Sequence, residues 1–222
     1  VVAAAAALSV TNALTAGFSG SDESAHFVNA LTVREYLATA LGSNPLSFAR
    51  EFYIQYPKVS IGHWPPAYYG VLGSLFLVVP PSVNAAYLLN ALPTIGVGLL
   101  VTWILLPLTT PVIAVSAVLL LAVSTIWIES IALLMLDQAL ALLSLLAALS
   151  WAADAASRRW LPALQFVLVT TAAILTKGNG LLLAILPLLY VGLTGRWASL
   201  LDVRAVTAAL VTGALTLPWY IV

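Results

Sequence analysis

The sequence predicts an all-α, polytopic bundle of membrane-crossing helices with one long loop outside it. Three observations predict this. Of the 222 residues 62% are hydrophobic and only 7% charged, against roughly 25% charged in an ordinary soluble domain. Mean hydropathy is +1.07. Apolar segments of helix length also recur from residue 82 to the end of the chain. A bilayer core about 30 Å thick needs about 20 apolar residues per helix, so the length allows about six crossings and one sizeable loop.

The opening run, Val1 to Gly17, reads as a truncated first transmembrane helix. It has no charged region ahead of it and many hydrophobic segments behind it, unlike a signal peptide. The chain opens without Met inside this run and stops inside another at Ile221 and Val222, so residues 1–222 read as the N-terminal part of a longer protein. The external loop is expected over about 18–66, which holds Asp22, Glu23, Arg34, Glu35, Arg50, Glu51 and Lys58, about half of all the charge. Within it, Ser19 and Ser21 are N-cap candidates before an acidic first turn. Phe27, Ala30, Leu31, Ala38 and Leu41 recur at helical spacing and predict an amphipathic juxtamembrane helix ending at Gly42.

Residues 67–80 are apolar but would reach only about 20 Å as a helix. Beyond them the apolar segments run Ser82 to Leu106, Val112 to Ile128, Ile131 to Trp151, Leu161 to Thr176, Leu181 to Thr194, and Ala205 onward. If residues 67–80 do not cross, the loops carrying Arg158, Arg159, Arg196 and Arg204 share a side with the start of the first helix. The positive-inside rule then puts that side in the cytoplasm. The long loop, Glu129 and Lys177 face outward, and the charge gathers on the non-cytoplasmic face of a multi-pass plasma or inner membrane protein.

The zero net charge and lack of a basic tract leave nothing in favour of nucleic acid. Without cysteine there is no disulfide, thiolate nucleophile or Cys-ligated metal. The polar residues that remain carry two readings each. Asp22 and Glu23 complement a helix dipole, or supply a general base at the membrane surface with His26 as hydrogen-bond partner or metal ligand. His63-Trp64-Pro65-Pro66 with Tyr68 and Tyr69 forms an interfacial aromatic belt, or stiffens the chain so that His63 meets the site made by Asp22. Asp137 stands inside an apolar run, where a central Asp costs roughly 2.5 to 3.5 kcal/mol on insertion scales and usually faces the bundle interior or water. Thr176-Lys177-Gly178-Asn179-Gly180 is not a Walker loop; Lys177 snorkels to the interface or contacts phosphate, as do the further cations Arg50 and Lys58.

In order along the chain, Asp22-Glu23, His63-x-Pro65-Pro66-x-Tyr68-Tyr69, Asp137 opening an apolar helix, Thr176-Lys177-Gly178 and Leu217-Pro218-Trp219-Tyr220 resemble a known family. It is the type C membrane glycosyltransferases that use polyprenyl-phosphate sugars, the protein O-mannosyltransferase and aminoarabinose-transferase-like group. The resemblance implies a bundle of that fold with 67–80 as a juxtamembrane segment. It implies Asp22 as base and Glu23 as an acceptor or metal contact. Many members carry Lys where Trp64 stands, so the cation for the donor phosphate falls to Lys58, Arg50 or Lys177, with His63 beside it. His26, Asp137 and Tyr68 are left for acceptor contact or structural pairing.

The implied reaction moves a sugar with inversion from a polyprenyl-phosphate donor to a lipid, glycan or protein acceptor, among membrane lipids. A divalent metal held by Glu23, His26 and His63 is the one cofactor considered. The rival reading is a transporter or channel subunit with Asp137 and Lys177 lining the path. Against it, the sequence shows no paired halves with broken helices. A third reading is an assembly subunit without activity.

Overall fold

The computed structural model describes residues 2–60 and 62–221, and the side chains of all of these except residues 3, 15 and 16. It is 81% helix, with no strand among the described residues. The chain divides into two compact units, residues 1–139 and 140–222.

The first unit holds α1 (Val2–Val10), α2 (Ala13–Ala16), α3 (Ser21–Thr39), α4 (Pro45–Gln55), α5 (Ala67–Val78), α6 (Val83–Leu105), α7 (Pro111–Ala122) and α8 (Thr125–Ala132). The opening run is not one helix. Asn12 takes the left-handed conformation, with φ 53°, and separates α1 from α2; asparagine is among the few residues that visit that region readily. Neither Ser19 nor Ser21 caps α3. Gly20 is the N-cap, and Glu23 reaches back to its N–H at 2.9 Å, the acidic half of a capping box.

The inward face of α3 carries Glu23, His26, Asn29 and Ala30, whereas Phe27 and Leu31 are half-buried and Leu41 is exposed. The predicted apolar stripe therefore lies to one side of a buried face that is largely polar. The external loop is expected to hold amphipathic juxtamembrane helices, and α4 is the second of them, with its start signal present in the sequence. Asn44 Oδ1 accepts from the Leu46 and Ser47 N–H groups at 2.9 and 3.2 Å, and Pro45 occupies the first helical position.

Helix α5 spans 12 residues, about 18 Å, and packs along α3. Arg34 Nε donates to the Phe76 carbonyl near its end at 3.1 Å. Gly73 permits the close approach, since a Cβ there would stand 2.8 Å from the Ala30 carbonyl oxygen and 3.0 Å from the Arg34 nitrogen. These are backbone atoms that cannot swing aside. Gly73→Ala is expected to lower stability by about 1 to 3 kcal/mol, read by thermal unfolding in detergent. Gly70→Ala, one turn earlier with open space around it, should show no such loss; equal effects would show that helix propensity rather than packing is being measured.

Helix α6 is inside-out by the standard of a soluble protein. Its buried face carries Tyr87, Asn90 and Thr94, while Leu88, Leu92, Leu99 and Trp103 face outward. Polar groups turned inward and leucines outward suit a hydrocarbon solvent, in which the polar atoms must find protein partners.

Among the described residues two helices are long and apolar enough to cross a membrane, α6 and α9 (Asp137–Ser157). The number is three if α7 and α8, which meet at a 62° bend, form one broken span. Ser124 starts the second half of that bend as the N-cap of α8. The expected segment Ile131 to Trp151 is also interrupted: Leu133 is extended and α9 begins at Asp137. Asp137 is thus exposed in a first helical turn rather than set in the middle of an apolar helix, and the insertion cost assigned to a central Asp does not apply.

The second unit contains most of α9, then α10 (Trp160–Thr176), a 3₁₀ segment (Gly178–Ala184), α11 (Ile185–Thr194), a 3₁₀ turn (Trp197–Leu201) and α12 (Val203–Ile221). Trp151 packs on Phe166, with ring centroids 5.2 Å apart, and on Tyr190. Helix α12 lies along α10, where Tyr220 donates to the Ile174 carbonyl at 3.1 Å. Gly180 is pressed against α10, for a Cβ would stand 2.6 Å from the Ala173 carbonyl carbon and the Ile174 nitrogen. The glycine in the Lys177 loop therefore serves packing.

Candidate functional site

The polar face of α3 organises the site. Glu23, 1% exposed, is the most heavily bonded side chain of the first unit. Its Oε1 accepts from the Ser19 N–H, the Ser19 hydroxyl and the Gly20 N–H, each at 2.9 Å. Its Oε2 accepts from the Tyr87 hydroxyl at 2.6 Å and the Leu134 N–H at 2.8 Å. Burial alone would push this carboxyl up; the bonds from Tyr87, Leu134, Gly20 and Ser19 outweigh it and hold the carboxyl below its ordinary value.

The break before α9 follows from the same contact. Leu134 donates to Glu23, and the preceding Leu133 carbonyl accepts from Asn90 Nδ2 at 2.8 Å. Two polar side chains from α3 and α6 thus replace the helical bonds that this stretch gives up. Tyr68 closes the cluster by donating to Asn90 Oδ1 at 3.3 Å.

One turn along α3, buried His26 has its Nδ1 2.7 Å from the Tyr69 hydroxyl. Burial pushes the Tyr69 hydroxyl up, a hydrogen bond from Asn29 opposes this, and the negative charge of Asp22 adds to it. Tyr69 therefore stays a phenol. Which of the Tyr69 hydroxyl and His26 Nδ1 donates depends on the imidazole tautomer. Asn29 Oδ1 also accepts from the Ser60 N–H at 2.9 Å, tying the segment between Lys58 and His63 to α3.

Trp64 packs on both histidines, its ring centroid 4.5 Å from His26 and 4.5 Å from His63. His63 is exposed, and buried Pro65 anchors the turn. Asp22 occupies the exposed first turn of α3, where the Ser21 hydroxyl donates to its Oδ1 at 3.3 Å.

Asp22, His26, Trp64, His63 and Tyr69 are thereby brought into one neighbourhood, beside the sealed cluster of Glu23, Tyr68, Tyr87 and Asn90. Lys58 is exposed on the tied segment, and Arg50 is exposed on α4, a helix with no buried residue. Lys177 belongs to the second unit, at the end of α10, where its N–H donates to the Ala173 carbonyl.

The fit to a divalent metal is poor. The Glu23 oxygens accept five hydrogen bonds against about four lone-pair sites, leaving none for a cation. Among the described residues no three His, Asp or Glu side chains converge.

Sequence reasoning missed Asn29, Tyr87 and Asn90. The signal was there as spacing: Glu23, His26 and Asn29 stand at i, i+3 and i+6, and Tyr87 and Asn90 at i and i+3 of an otherwise apolar helix. Compared with known proteins, the chain matches no family model, no curated protein and no solved structure. What fold and site define, among the described residues, is an all-helical chain with two to three helices long and apolar enough to cross a membrane and a polar cluster built on α3.

Proposed function

We propose that this chain is part of an integral-membrane glycosyltransferase of the type C kind, moving a sugar from a polyprenyl-phosphate donor to a lipid, glycan or protein acceptor. The observation that carries the reading is the division between two adjacent carboxylates. Glu23 is sealed by five donors and locks the start of α3; Asp22, next to it, is exposed in the first turn, one helical turn before His26, whose ring packs on Trp64. The sealed Glu23 fixes the start of the helix that carries Asp22, and the part-exposed Trp64 ring offers a sugar a surface to stack on.

In the reaction the acceptor hydroxyl or amine attacks the anomeric carbon as its proton passes to Asp22. The bond from that carbon to the phosphate oxygen breaks, and the electron pair leaves with the polyprenyl phosphate. The leaving group is already a stabilised anion, so positioning and a nearby cation suffice. Lys58 is the cation best supported, because its segment is bonded to α3 through Ser60; Arg50 and Lys177 remain alternatives. Glu23 acts by position, not as an acceptor or metal contact.

The test is transfer by the full-length protein from a panel of polyprenyl-phosphate sugars. The 62° bend between α7 and α8 favours the second reading, a transporter, since broken helices build many transport sites. Solute flux in proteoliposomes without sugar transfer would establish that reading instead.

The outward-facing site is tested by topology. Ser24→Cys and Ser60→Cys are expected to react with an impermeant thiol reagent from the non-cytoplasmic side, and Ser157→Cys is not. Labelling of all three from that side would mean that residues 67–80 cross after all.

A further inference from the structure

The first unit holds a cleft that the proposed transfer does not use. It lies between α3 and α4 and encloses about 530 Å³, within the roughly 300–1,000 Å³ typical of small-molecule sites. Neither of these helices is among those long and apolar enough to cross a membrane. Glu35, in the wall of the cleft, stands about 20 Å along α3 from Asp22.

One wall is a row of aromatic rings. Phe48, Phe52 and, at the C-cap, Tyr56 recur every fourth residue along α4, making a strip about 12 Å long. Phe52 and Tyr56 have ring centroids 4.7 Å apart and planes inclined by 33°, and Phe48 meets Tyr36 of α3 edge-on at 5.5 Å. These rings do not form a core: no residue of α4 is buried, and Tyr56 is 51% exposed. The strip is held in place all the same, because the Tyr36 hydroxyl donates to the Ser43 carbonyl at 2.8 Å and Asn44 caps α4.

The rest of the lining is polar. Arg34 is fixed by its bonds to the Phe76 carbonyl and to Glu35. Glu51 and Gln55 have no hydrogen-bond or ion-pair partner among the described residues and can turn to a ligand. Two carboxylates against one guanidinium disfavour a phosphate or other anion. An apolar chain would strip water from these groups without replacing their hydrogen bonds, and a lone cation would fill little of the space. A sugar suits both walls. Its C–H face packs on aromatic rings, while its hydroxyls donate to carboxylates and bond with amide and guanidinium.

We propose that this cleft binds a short neutral oligosaccharide, stacked along Phe48, Phe52 and Tyr56 and hydrogen-bonded by Glu51, Gln55 and Arg34. Binding there is independent of transfer at Asp22 and can be read without it.

The experiment titrates the full-length protein in nanodiscs with maltotriose, mannotriose and chitotriose. Saturation-transfer NMR reads contact, and calorimetry reads affinity. Saturable binding of at least one of these sugars is expected, weakened about three- to tenfold by Tyr56→Leu and by Phe52→Leu, which keep apolar bulk but remove the flat face. Tyr56 is exposed, so its variant should fold, and melting temperature checks both. Saturable binding of none of the three sugars overturns the proposal. Equal binding by wild type and both α4 variants also overturns it, and its loss in Trp64→Leu would then move the sugar to the site around Asp22. Binding of tetramethylammonium in place of the sugars, abolished by Glu51→Gln, overturns it in favour of a cation site.

Discussion

Asp22→Asn in the full-length protein is expected to lower sugar-transfer turnover by about 10²- to 10⁴-fold, the usual worth of general-base assistance, with donor affinity and stability nearly unchanged. The amide keeps the size and the hydrogen bond from Ser21 but cannot take a proton from the attacking group. A purely structural Asp22 predicts a different pattern. Removing a charge from an exposed first turn costs only about 0.3 to 1 kcal/mol through the helix dipole and leaves chemistry alone. Rate, donor affinity and melting temperature measured on one preparation separate the two. Turnover close to wild type removes Asp22 from the mechanism, whatever happens to stability.

Glu23→Gln, one residue along, should have the opposite signature: a loss of stability of about 3 to 5 kcal/mol, with the surviving folded fraction still active. An amide presents its NH₂ to a site lined wholly by donors. Either the Ser19 and Gly20 side or the Tyr87 and Leu134 side must then lose its acceptor. The same carboxylate makes stability depend on pH, and the sign follows from its lowered folded value. Its contribution is fully present above the ordinary value of 4.5 and is lost as pH falls through the lower value it has in the fold. Unfolding midpoints measured down through the acid range should fall for wild type and fall less steeply for Glu23→Gln. Parallel profiles would assign the acid sensitivity to other groups.

Much of the architecture was legible because hydrocarbon imposes a simple demand. A chain this apolar must satisfy its backbone internally, so helices follow from composition, and their approximate places follow from the apolar runs. Where those runs break was harder to read. Residues 112–128 and 131–151 look continuous, yet the first bends at Ser124 and the second opens at Leu133.

The site was legible in part. Asp22, Glu23, His26 and the His63 turn stand out as polar residues beside apolar sequence, and the structure gathers them at one end of α3. Their roles were not legible, since adjacent residues on a helix point about 100° apart and only packing tells which one is sealed.

By itself, then, the sequence determined the all-helical class, the polar loop after the first run, and the small set of residues able to carry chemistry. Those are properties of composition and short spacing. Tertiary structure alone decided that α3 turns its polar face inward. It also decided that Glu23 meets a backbone N–H 111 residues away at Leu134. The reason is that a buried hydrogen bond is specified by two distant segments packing together, and nothing in the periodicity of either segment records the other.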